Sequence, residues 1–422
     1  MRKRTPPSSA LEAALQKKQG YKHFDIPLTA KQCERLVSDP AAISRHAFFP
    51  FLRLDVVRPR IKRLATGRLV KSSKVRDIRY AAHADASIYA YYNFLLSGLY
   101  EQALKDAELN ECVIAFRSLG KSNVEFAKEA FDWISRHTPC VALGFDVKDF
   151  FGSLDHSLLK QSWSELLGEP KLPEDHYAVL RSLTKHASVE LIAARKALGL
   201  SRTALEKQER LCEPAEFRSV IRAGGLLQVN KAGKGIPQGS PMSALLSNIY
   251  MLSFDKEMDQ AARRLGGYYR RYCDDILLVV EQKHAADIKN LVESNLVALR
   301  LTLQTKKTLE CVFSPLADKP LQYLGLMFDG ERILLRSSGV ARYFKKMRAG
   351  VRQHTKAKSR DGKTALSVQR QKYLLRQYTE HAPEHQRSYP SYVKRVSLAT
   401  GSPEIIKQLR RHRKRFRALM QE

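Results

Sequence analysis

Two neighbouring carboxylates, Asp274 and Asp275, stand directly ahead of five aliphatic residues in the stretch RRYCDDILLVV. Carboxylates at that separation repel each other, and the repulsion grows wherever the surroundings exclude water. An exposed turn tolerates such a pair, because aspartate is a common turn residue. A buried hairpin tolerates it only beside a cation. The pair therefore predicts either a solvated turn or a cation site at the mouth of an apolar strand.

A second apolar strand is predicted to end in an acid, because CVALGFDV (140–147) places Asp146 after a short hydrophobic run. If this strand and the ILLVV strand are neighbours in one sheet, three carboxylates converge at one edge. Three carboxylates can hold two divalent ions about 3.5–4 Å apart for phosphoryl transfer, and Mg²⁺ prefers such oxygen ligands. Taken singly, Asp146 could also cap a loop, and the adjacent pair could be an exposed turn.

The charge of the chain narrows the class of partner. Its 422 residues carry 73 Lys and Arg against 43 Asp and Glu, a net charge of +30. Such an excess favours polyanions. No apolar run approaches the roughly 20 residues that span a bilayer, and the basic N-terminus lacks the apolar centre of a signal peptide. We therefore expect a cytoplasmic protein that binds nucleic acid and no membrane.

The six cysteines do not form a recognisable metal or redox motif. They are Cys33, Cys112, Cys140, Cys212, Cys273 and Cys311. None lies in a CxxC pair, so we expect scattered buried thiols.

Elsewhere, periodicity predicts mainly helices. Helical spacing covers 83–107, 242–265 and 284–301, and the charged segment 156–234 is predicted to be mostly helical. QYLGLMFDG and ERILLR (322–336) predict a second hairpin, after the one that contains Asp274 and Asp275.

The segment 341–422 carries 22 Lys and Arg against five Asp and Glu, interspersed with tyrosine and phenylalanine. Lys and Arg neutralise phosphates and bases stack on aromatics, so this composition favours nucleic-acid binding. A solvated basic face over an aromatic core is the alternative.

Three stretches in order, FDVKDFFGSLDH, GIPQGSPMSALLSNIY and YCDD, resemble motifs A, B and C of reverse transcriptases, above all those of the bacterial retron and group II intron lineage. The resemblance covers roughly residues 70–330. KVRDIRY and AFRSLGKS resemble fingers motifs, LTLQTKKT resembles motif D, and QYLGLMF resembles the primer-grip hairpin. It implies an α+β right-hand polymerase whose palm is an antiparallel sheet packed on helices.

The resemblance also implies a domain organisation. A helical extension is expected at 1–50, fingers at 51–140, a palm at 141–330 with a helical insertion at 156–234, and a basic helical thumb at 331–422.

Roles for the acidic residues follow from the same resemblance. Asp146, Asp274 and Asp275, with the carbonyl of Val147, would bind two Mg²⁺ ions. Lys307 matches the motif D lysine and would donate a proton to pyrophosphate.

The resemblance further implies residues that bind substrates. Those expected to contact the incoming nucleotide are Arg76, Arg117, Lys121, Phe151, Gln238 and Gly239, with Phe151 as the steric gate against a ribose 2′-OH. Those expected to contact nucleic acid are Tyr323, Gly325, Arg410, Arg411, Arg413, Lys414 and Arg415. Phe151 could instead be plain core, and the basic fingers residues could be ordinary surface charge.

Neither a ribonuclease H cluster nor a Cys/His finger follows the polymerase motifs. The chain therefore resembles the stand-alone bacterial reverse transcriptases of anti-phage defence, with their second class as the expected subgroup. Its expected partners are a structured non-coding RNA as template, the cDNA product and deoxynucleoside triphosphates, with the oligomeric state left open. The alternatives are a retron-type or intron-derived enzyme, or an RNA-binding scaffold with a vestigial polymerase site.

Overall fold

The computed structural model describes residues 20–63, 67–314, 317–360, 368–379 and 388–421. Helices pack on largely antiparallel sheets, so the fold is α+β, as expected for a right-hand polymerase. Residues 1–19 of the expected N-terminal helical extension lie outside the described residues. None of the helices in the described ranges is both long and apolar enough to cross a bilayer.

The strands in the described residues are β1 (Phe51–Arg63), β2 (Leu69–Tyr80), β3 (Cys140–Asp146), β4 (Ala187–Glu190), β5 (Gln228–Val229), β6 (Tyr268–Tyr272), β7 (Asp275–Val280), β8 (Leu309–Phe313), β9 (Leu321–Tyr323), β10 (Leu326–Phe328) and β11 (Ile333–Leu335). The α-helices are α1 (Ala30–Val37), α2 (Pro40–Ser44), α3 (His83–Asp106), α4 (Asn123–Arg136), α5 (Phe150–Ser153), α6 (His156–Leu167), α7 (Glu174–Thr184), α8 (Leu191–Ala197), α9 (Arg202–Lys207), α10 (Pro214–Glu216), α11 (Ser243–Tyr250), α12 (Leu252–Arg264), α13 (Ala285–Ala298), α14 (Ser337–Arg360), α15 (Val368–Tyr378), α16 (Tyr389–Thr400), α17 (Glu404–Lys407) and α18 (His412–Gln421).

The central sheet has the order β6-β7-β3-β8, with every neighbour antiparallel. Side chains of β3 alternate between two cores: Val141, Leu143 and Phe145 pack with helices α3, α11 and α12, whereas Ala142 packs on the other face against α4 and the C-terminal helices. Both faces are covered, so the strand is apolar throughout rather than alternating. The two acid-bearing strands are neighbours in this sheet, which is the condition for their acids to converge at one edge.

A long hairpin of β1 and β2 occupies residues 51–80, a stretch dense in lysine and arginine. We predicted no strand here, because lysines and arginines along it obscure the apolar alternation that marks a strand. Val57 and Val75, which pair across the hairpin, are 58% and 52% exposed. The hairpin therefore extends into solvent and is stabilised mainly at its base, where Leu52 is fully buried.

The segment 156–234 is mostly helical, as predicted, but it also contributes two strands that were not predicted. β4 runs parallel to β1 and β5 pairs with β4, which gives a four-stranded sheet of order β2-β1-β4-β5. The segment thereby extends the sheet of the basic hairpin.

The C-terminal region combines a small sheet, β11-β10-β9, with helices α14 to α18. The predicted second hairpin is present as β10 and β11, but a turn divides its first run, so that β9 pairs with β10 as a third strand that was not predicted. Tyr343 and Phe416, two of the aromatics in the basic tail, are buried in the core, whereas Tyr373 is 51% exposed. The segment 341–422 therefore has, in part, a basic face over an aromatic core, which was the alternative to nucleic-acid binding in the sequence analysis.

All six cysteines are buried and free, in agreement with the prediction of scattered buried thiols.

Candidate active site

Asp146 and Asp275 lie directly opposite each other, because the last residue of β3 pairs with the first residue of β7. β6 and β7 are joined by a tight turn of two residues, Cys273 and Asp274, across which Tyr272 pairs with Asp275. Cys273 adopts a left-handed backbone with φ of 60°, as such short turns require. The sheet thus places all three acids of the sequence prediction at one edge.

These acids line a cleft of about 1050 Å³. Of the residues named from the sequence, Asp146, Val147, Asp274, Asp275, Lys307, Arg76, Phe151 and Gln238 line it. β2 supplies one wall, the sheet edge supplies the floor, and Gln228 and Val229 of β5 supply a further wall. The cleft thus brings carboxylates at its floor together with cations from the basic hairpin.

Lys307 is bound to Asp146. Its Nζ donates hydrogen bonds to both carboxylate oxygens, at 2.5 and 2.7 Å. The loop that carries it is attached to the end of β3, because the Gln304 amide donates to the Asp146 carbonyl and Lys148 donates to Thr302. The lysine therefore reaches the carboxylate from a backbone fixed to the same strand.

Asp275 carries the clearest sign of crowded negative charge. Its side chain is accessible within the cleft. Partial desolvation by the cleft walls is the largest cause that raises its pKa to about 6, and repulsion from Asp274 and Asp146 adds to it. Lys307 and Arg336 act in the opposite direction. A carboxylate held in this state is a good ligand for a divalent cation, which removes the repulsion.

The donor set fits Mg²⁺, which prefers carboxylate and carbonyl oxygens. Within the described residues, no three carboxylate, imidazole or thiol groups already surround a common point. The Lys307 ammonium provides the counter-charge at Asp146, so full coordination of an ion there requires this lysine to move.

The glycine-rich loop before α11 approaches the basic hairpin closely. Arg79 donates its amide to the Gln238 carbonyl at 2.9 Å. Gly239 has φ of 120°, and a β-carbon there would lie 2.7 Å from the Arg79 carbonyl oxygen. Only glycine fits this approach, so the requirement fixes where Gln238 enters the cleft.

Phe151 also lies next to this loop, because its carbonyl accepts a hydrogen bond from the Ile236 amide at 2.9 Å. Asn230 holds the start of the loop, since its side-chain amide donates to the carbonyls of Thr184, Lys234 and Gly235. No sequence signal identified Asn230.

Arg117 and Lys121 do not line the cleft. The Arg117 guanidinium is almost fully buried and donates to both carboxylate oxygens of Glu101 and to the carbonyls of Asn110 and Val113. Lys121 pairs with Glu129 at 2.5 Å. In this arrangement Arg117 stabilises its own loop, because its charge and donors are already used by protein groups.

The residues expected to contact nucleic acid lie outside the cleft lining. Tyr323 is buried at the end of β9, and Gly325 lies in the turn before β10 with φ of 93°. The basic residues Arg410, Arg411, Arg413, Lys414 and Arg415 are exposed near α18. Arg415 stacks on the Phe344 ring at 4.5 Å.

Arg271 is a structural support that sequence reasoning missed. It is fully buried and forms a bidentate ion pair with the fully buried Asp255 of α12, with both distances 2.6 Å. Its NH1 also donates to the Cys273 carbonyl and to the Asn248 side chain, each at 3.1 Å. The turn that carries Asp274 is therefore anchored from below by a buried charge network.

This network also reaches the 112–117 loop. Asn248 donates to the Ala115 carbonyl at 3.0 Å, and the backbone of Arg271 pairs with Cys112 and Ile114. Helix α11, the acidic turn and the 112–117 loop are thereby joined by one set of buried hydrogen bonds.

Comparison with known proteins gives a family match. Residues 99–328 match the family described as reverse transcriptase (RNA-dependent DNA polymerase). A stretch of 64 residues is 41% identical to the retron Mx162 reverse transcriptase of Myxococcus xanthus. This stretch covers 15% of this chain and only 12% of that protein.

Two telomerases are among the solved structures that are similar at low identity. A telomerase from Candida tropicalis, truncated from the C-terminal domain, aligns with a TM-score of 0.43 and 12% identity over 67% of this chain and 57% of that one. A Candida albicans telomerase in complex with a TWJ fragment of telomeric RNA aligns with a TM-score of 0.40 and 14% identity, over 91% of this chain and 68% of that one.

Proposed function

Because the chain belongs to the reverse transcriptase (RNA-dependent DNA polymerase) family, we propose that it synthesises DNA on an RNA template. The observation that carries the proposal is the in-register pairing of Asp146 with Asp275, beside Asp274, at the floor of a cation-lined cleft. A cleft of this composition suits a nucleoside triphosphate, whose phosphates face cations and whose reacting centre faces the acids.

In this proposal, Asp146, Asp274, Asp275 and the Val147 carbonyl hold two Mg²⁺ ions. When bound, the ions supply Lewis acidity that stabilises the attacking and leaving oxygens of nucleotidyl transfer. Lys307 is held at 2.5 Å from Asp146, at the same end of the cleft. When metal binding displaces it from Asp146, its ammonium would remain at this end of the cleft and would give a proton to departing pyrophosphate.

Nucleotide selection falls to the walls of the cleft. Arg76 neutralises the triphosphate, and the Phe151 ring crowds a ribose 2′-OH, which favours deoxynucleotides. Gln238, directed by the close approach at Gly239, lies against the nascent base pair. We leave Arg117 and Lys121 out of the proposed nucleotide site, because their charges are paired with Glu101 and Glu129.

The basic C-terminal region would grip nucleic acid as a thumb. The exposed residues around α18 would neutralise phosphates, and the β9–β10 turn at Tyr323 and Gly325 would support the primer. In this organisation 51–140 forms the fingers and 141–330 the palm, although β4 and β5 of the 156–234 insertion join the fingers sheet.

We extend the proposal to a biological role on the basis of two sequence motifs. YCDD and IPQGSPMSALLSNIYM resemble the defence-associated bacterial reverse transcriptases, so the template would be a structured non-coding RNA and the outcome immunity against phage in the cytoplasm. Sequencing the RNA that copurifies with the chain from its native host tests this. A single abundant structured RNA with matching cDNA supports the role, whereas only bulk cellular RNA contradicts it.

The enzymatic proposal is tested by primer extension on an RNA template with Mg²⁺ and deoxynucleotides. The wild-type chain should extend the primer, and Asp274→Ala/Asp275→Ala should not, while both bind RNA equally. Equal incorporation by both proteins would remove the catalytic assignment. RNA binding without extension by the wild type would favour the scaffold alternative.

A further inference from the structure

Phe116 combines two unfavourable features at one position. Its side chain is 52% exposed, although it is a large apolar ring. Its backbone is also left-handed, with φ of 62°, a conformation that a bulky residue rarely adopts. Exposure of the ring to water and strain in the backbone both destabilise the folded chain, and strain of this kind concentrates at functional sites.

The loop around Phe116 is fixed on both sides, so its conformation is imposed by neighbours. Before it, the Ala115 carbonyl accepts a hydrogen bond from Asn248 at 3.0 Å. After it, the Arg117 guanidinium is held by Glu101 at 2.9 and 2.6 Å. Both anchors belong to buried or half-buried contacts, so the ring is presented by a rigid segment.

The exposed ring lines the catalytic cleft. It shares that lining with Asp146 and Asp275 at the floor, with Arg76 of the basic hairpin, and with the aromatic ring of Phe151. The carboxylates suit metal ions and the arginine suits phosphates, whereas an exposed aromatic ring suits the planar face of a nucleotide base. Stacking of a base on Phe116 would cover the ring that the fold leaves exposed.

We propose that Phe116 is a nucleobase-stacking residue of the catalytic cleft. The inference rests on the proposed polymerase function and deepens it. The shared chemistry is a planar base, whose source is either the incoming nucleotide or the templating nucleotide, and the experiment separates these two.

The test compares Phe116→Ala, Phe116→Gly and Phe116→Tyr in the full chain, with Phe94→Ala as matched control. Phe94 is also an exposed phenylalanine, at 36%, but it lies on α3 outside the cleft lining. Three quantities are measured for each protein: KM for deoxynucleotide in single-nucleotide extension, Kd for primer–template by fluorescence anisotropy, and Tm.

Loss of the ring should weaken substrate binding by about tenfold, the effect of removing one base–aromatic stack. A raised KM for deoxynucleotide assigns the stack to the incoming nucleotide, and a raised Kd for primer–template assigns it to the template. Phe116→Tyr and Phe94→Ala should behave like wild type. Phe116→Gly should melt no lower than Phe116→Ala, because glycine adopts positive φ freely.

Two results would overturn the proposal. One is a Phe116→Ala protein with wild-type KM and Kd. The other is recovery of activity in Phe116→Gly after loss in Phe116→Ala, which would assign the effect to backbone strain instead of the ring. Absence of extension by the wild-type chain contradicts the polymerase function itself, whereas normal wild-type extension with an unaffected Phe116→Ala contradicts only the stacking role.

Discussion

Two hairpins line the cleft, and they are stabilised in opposite ways. The β6–β7 hairpin carries the acids and is anchored by Arg271 and Asp255, both fully buried and 2.6 Å apart. The β1–β2 hairpin carries cations and uses pairs such as Arg79–Asp77, also short at 2.8 Å but partly exposed. Two ion pairs of similar geometry therefore contribute differently to stability. Water competes with the Arg79–Asp77 pair but not with the buried Arg271–Asp255 pair.

The difference matches the demands on each hairpin. Carboxylates that hold metal ions must stay within fractions of an ångström of the productive geometry, which favours a buried support. Cations that meet a triphosphate can act from a more hydrated surface. We therefore expect substitutions under the acidic hairpin to cost stability, and substitutions on the basic hairpin to act mainly on substrate binding.

The largest expected effect is at the buried pair. Arg271→Met should lower the free energy of unfolding by about 3–5 kcal/mol, because it leaves Asp255 buried without its partner. Urea denaturation measures this. The double variant Arg271→Met/Asp255→Leu should recover much of the loss, since no unpaired charge is left. Arg79→Gln on the basic hairpin is the matched control and should change stability by less than about 1 kcal/mol. Equal losses of unfolding free energy in Arg271→Met and Arg79→Gln would contradict the difference between the two hairpins.

The contact between the glycine-rich loop and the basic hairpin comes next. Gly239→Ala should destabilise the chain by about 2 kcal/mol, because its β-carbon would lie 2.7 Å from the Arg79 carbonyl. Gly225→Ala is the control: φ is also positive there, at 70°, but nothing lies within 4 Å of the added carbon. Thermal unfolding of both should show the larger loss at Gly239, and indistinguishable values would remove the close approach as a constraint.

Sugar selection gives a smaller effect. Phe151→Ala should raise ribonucleotide incorporation relative to deoxynucleotide by about tenfold, which corresponds to roughly 1.4 kcal/mol of lost discrimination. Phe151→Tyr, which keeps the ring, should retain the preference. Single-nucleotide extension with each nucleotide type measures the ratio, and an unchanged ratio in Phe151→Ala would leave Phe151 as a core residue only.

The smallest effect concerns charge crowding at the acids. The folded-state pKa of Asp275 is raised to about 6 from 3.8, so its ionisation opposes folding in metal-free buffer. Asp275→Asn should therefore stabilise the metal-free chain above pH 6, by about 1 kcal/mol after allowance for solvent screening. The gain should disappear as the pH falls from 6 towards 4, where Asp275 becomes protonated in the folded protein. A pH series of unfolding curves without Mg²⁺ tests this, and a destabilised variant would contradict it.

Much of the acidic site followed from the sequence. Apolar runs identified β3 and β7, and the position of Asp146 and Asp275 at their ends placed both acids at one edge. Such reasoning works because strand ends in one sheet share an edge whatever surrounds them.

The supports were not predictable in the same way. From the sequence, Arg271 has no assigned role, because its partner Asp255 lies on a separate helix. Arg117 lies in a motif expected to bind the triphosphate, but its guanidinium is paired with Glu101. In both cases the function of an arginine depends on a tertiary partner that no local pattern reveals.

We propose that the acids at the end of β3 and the start of β7 form the catalytic metal site of an RNA-directed DNA polymerase. Extension of a primer on an RNA template, followed across a Mg²⁺ titration for wild type and Asp146→Asn, tests it most directly. We expect Mg²⁺-dependent DNA synthesis by the wild type and a loss of at least about 10³-fold in Asp146→Asn at unchanged Tm, since metal-assisted stabilisation supplies several kcal/mol. Wild-type rates in Asp146→Asn would contradict it.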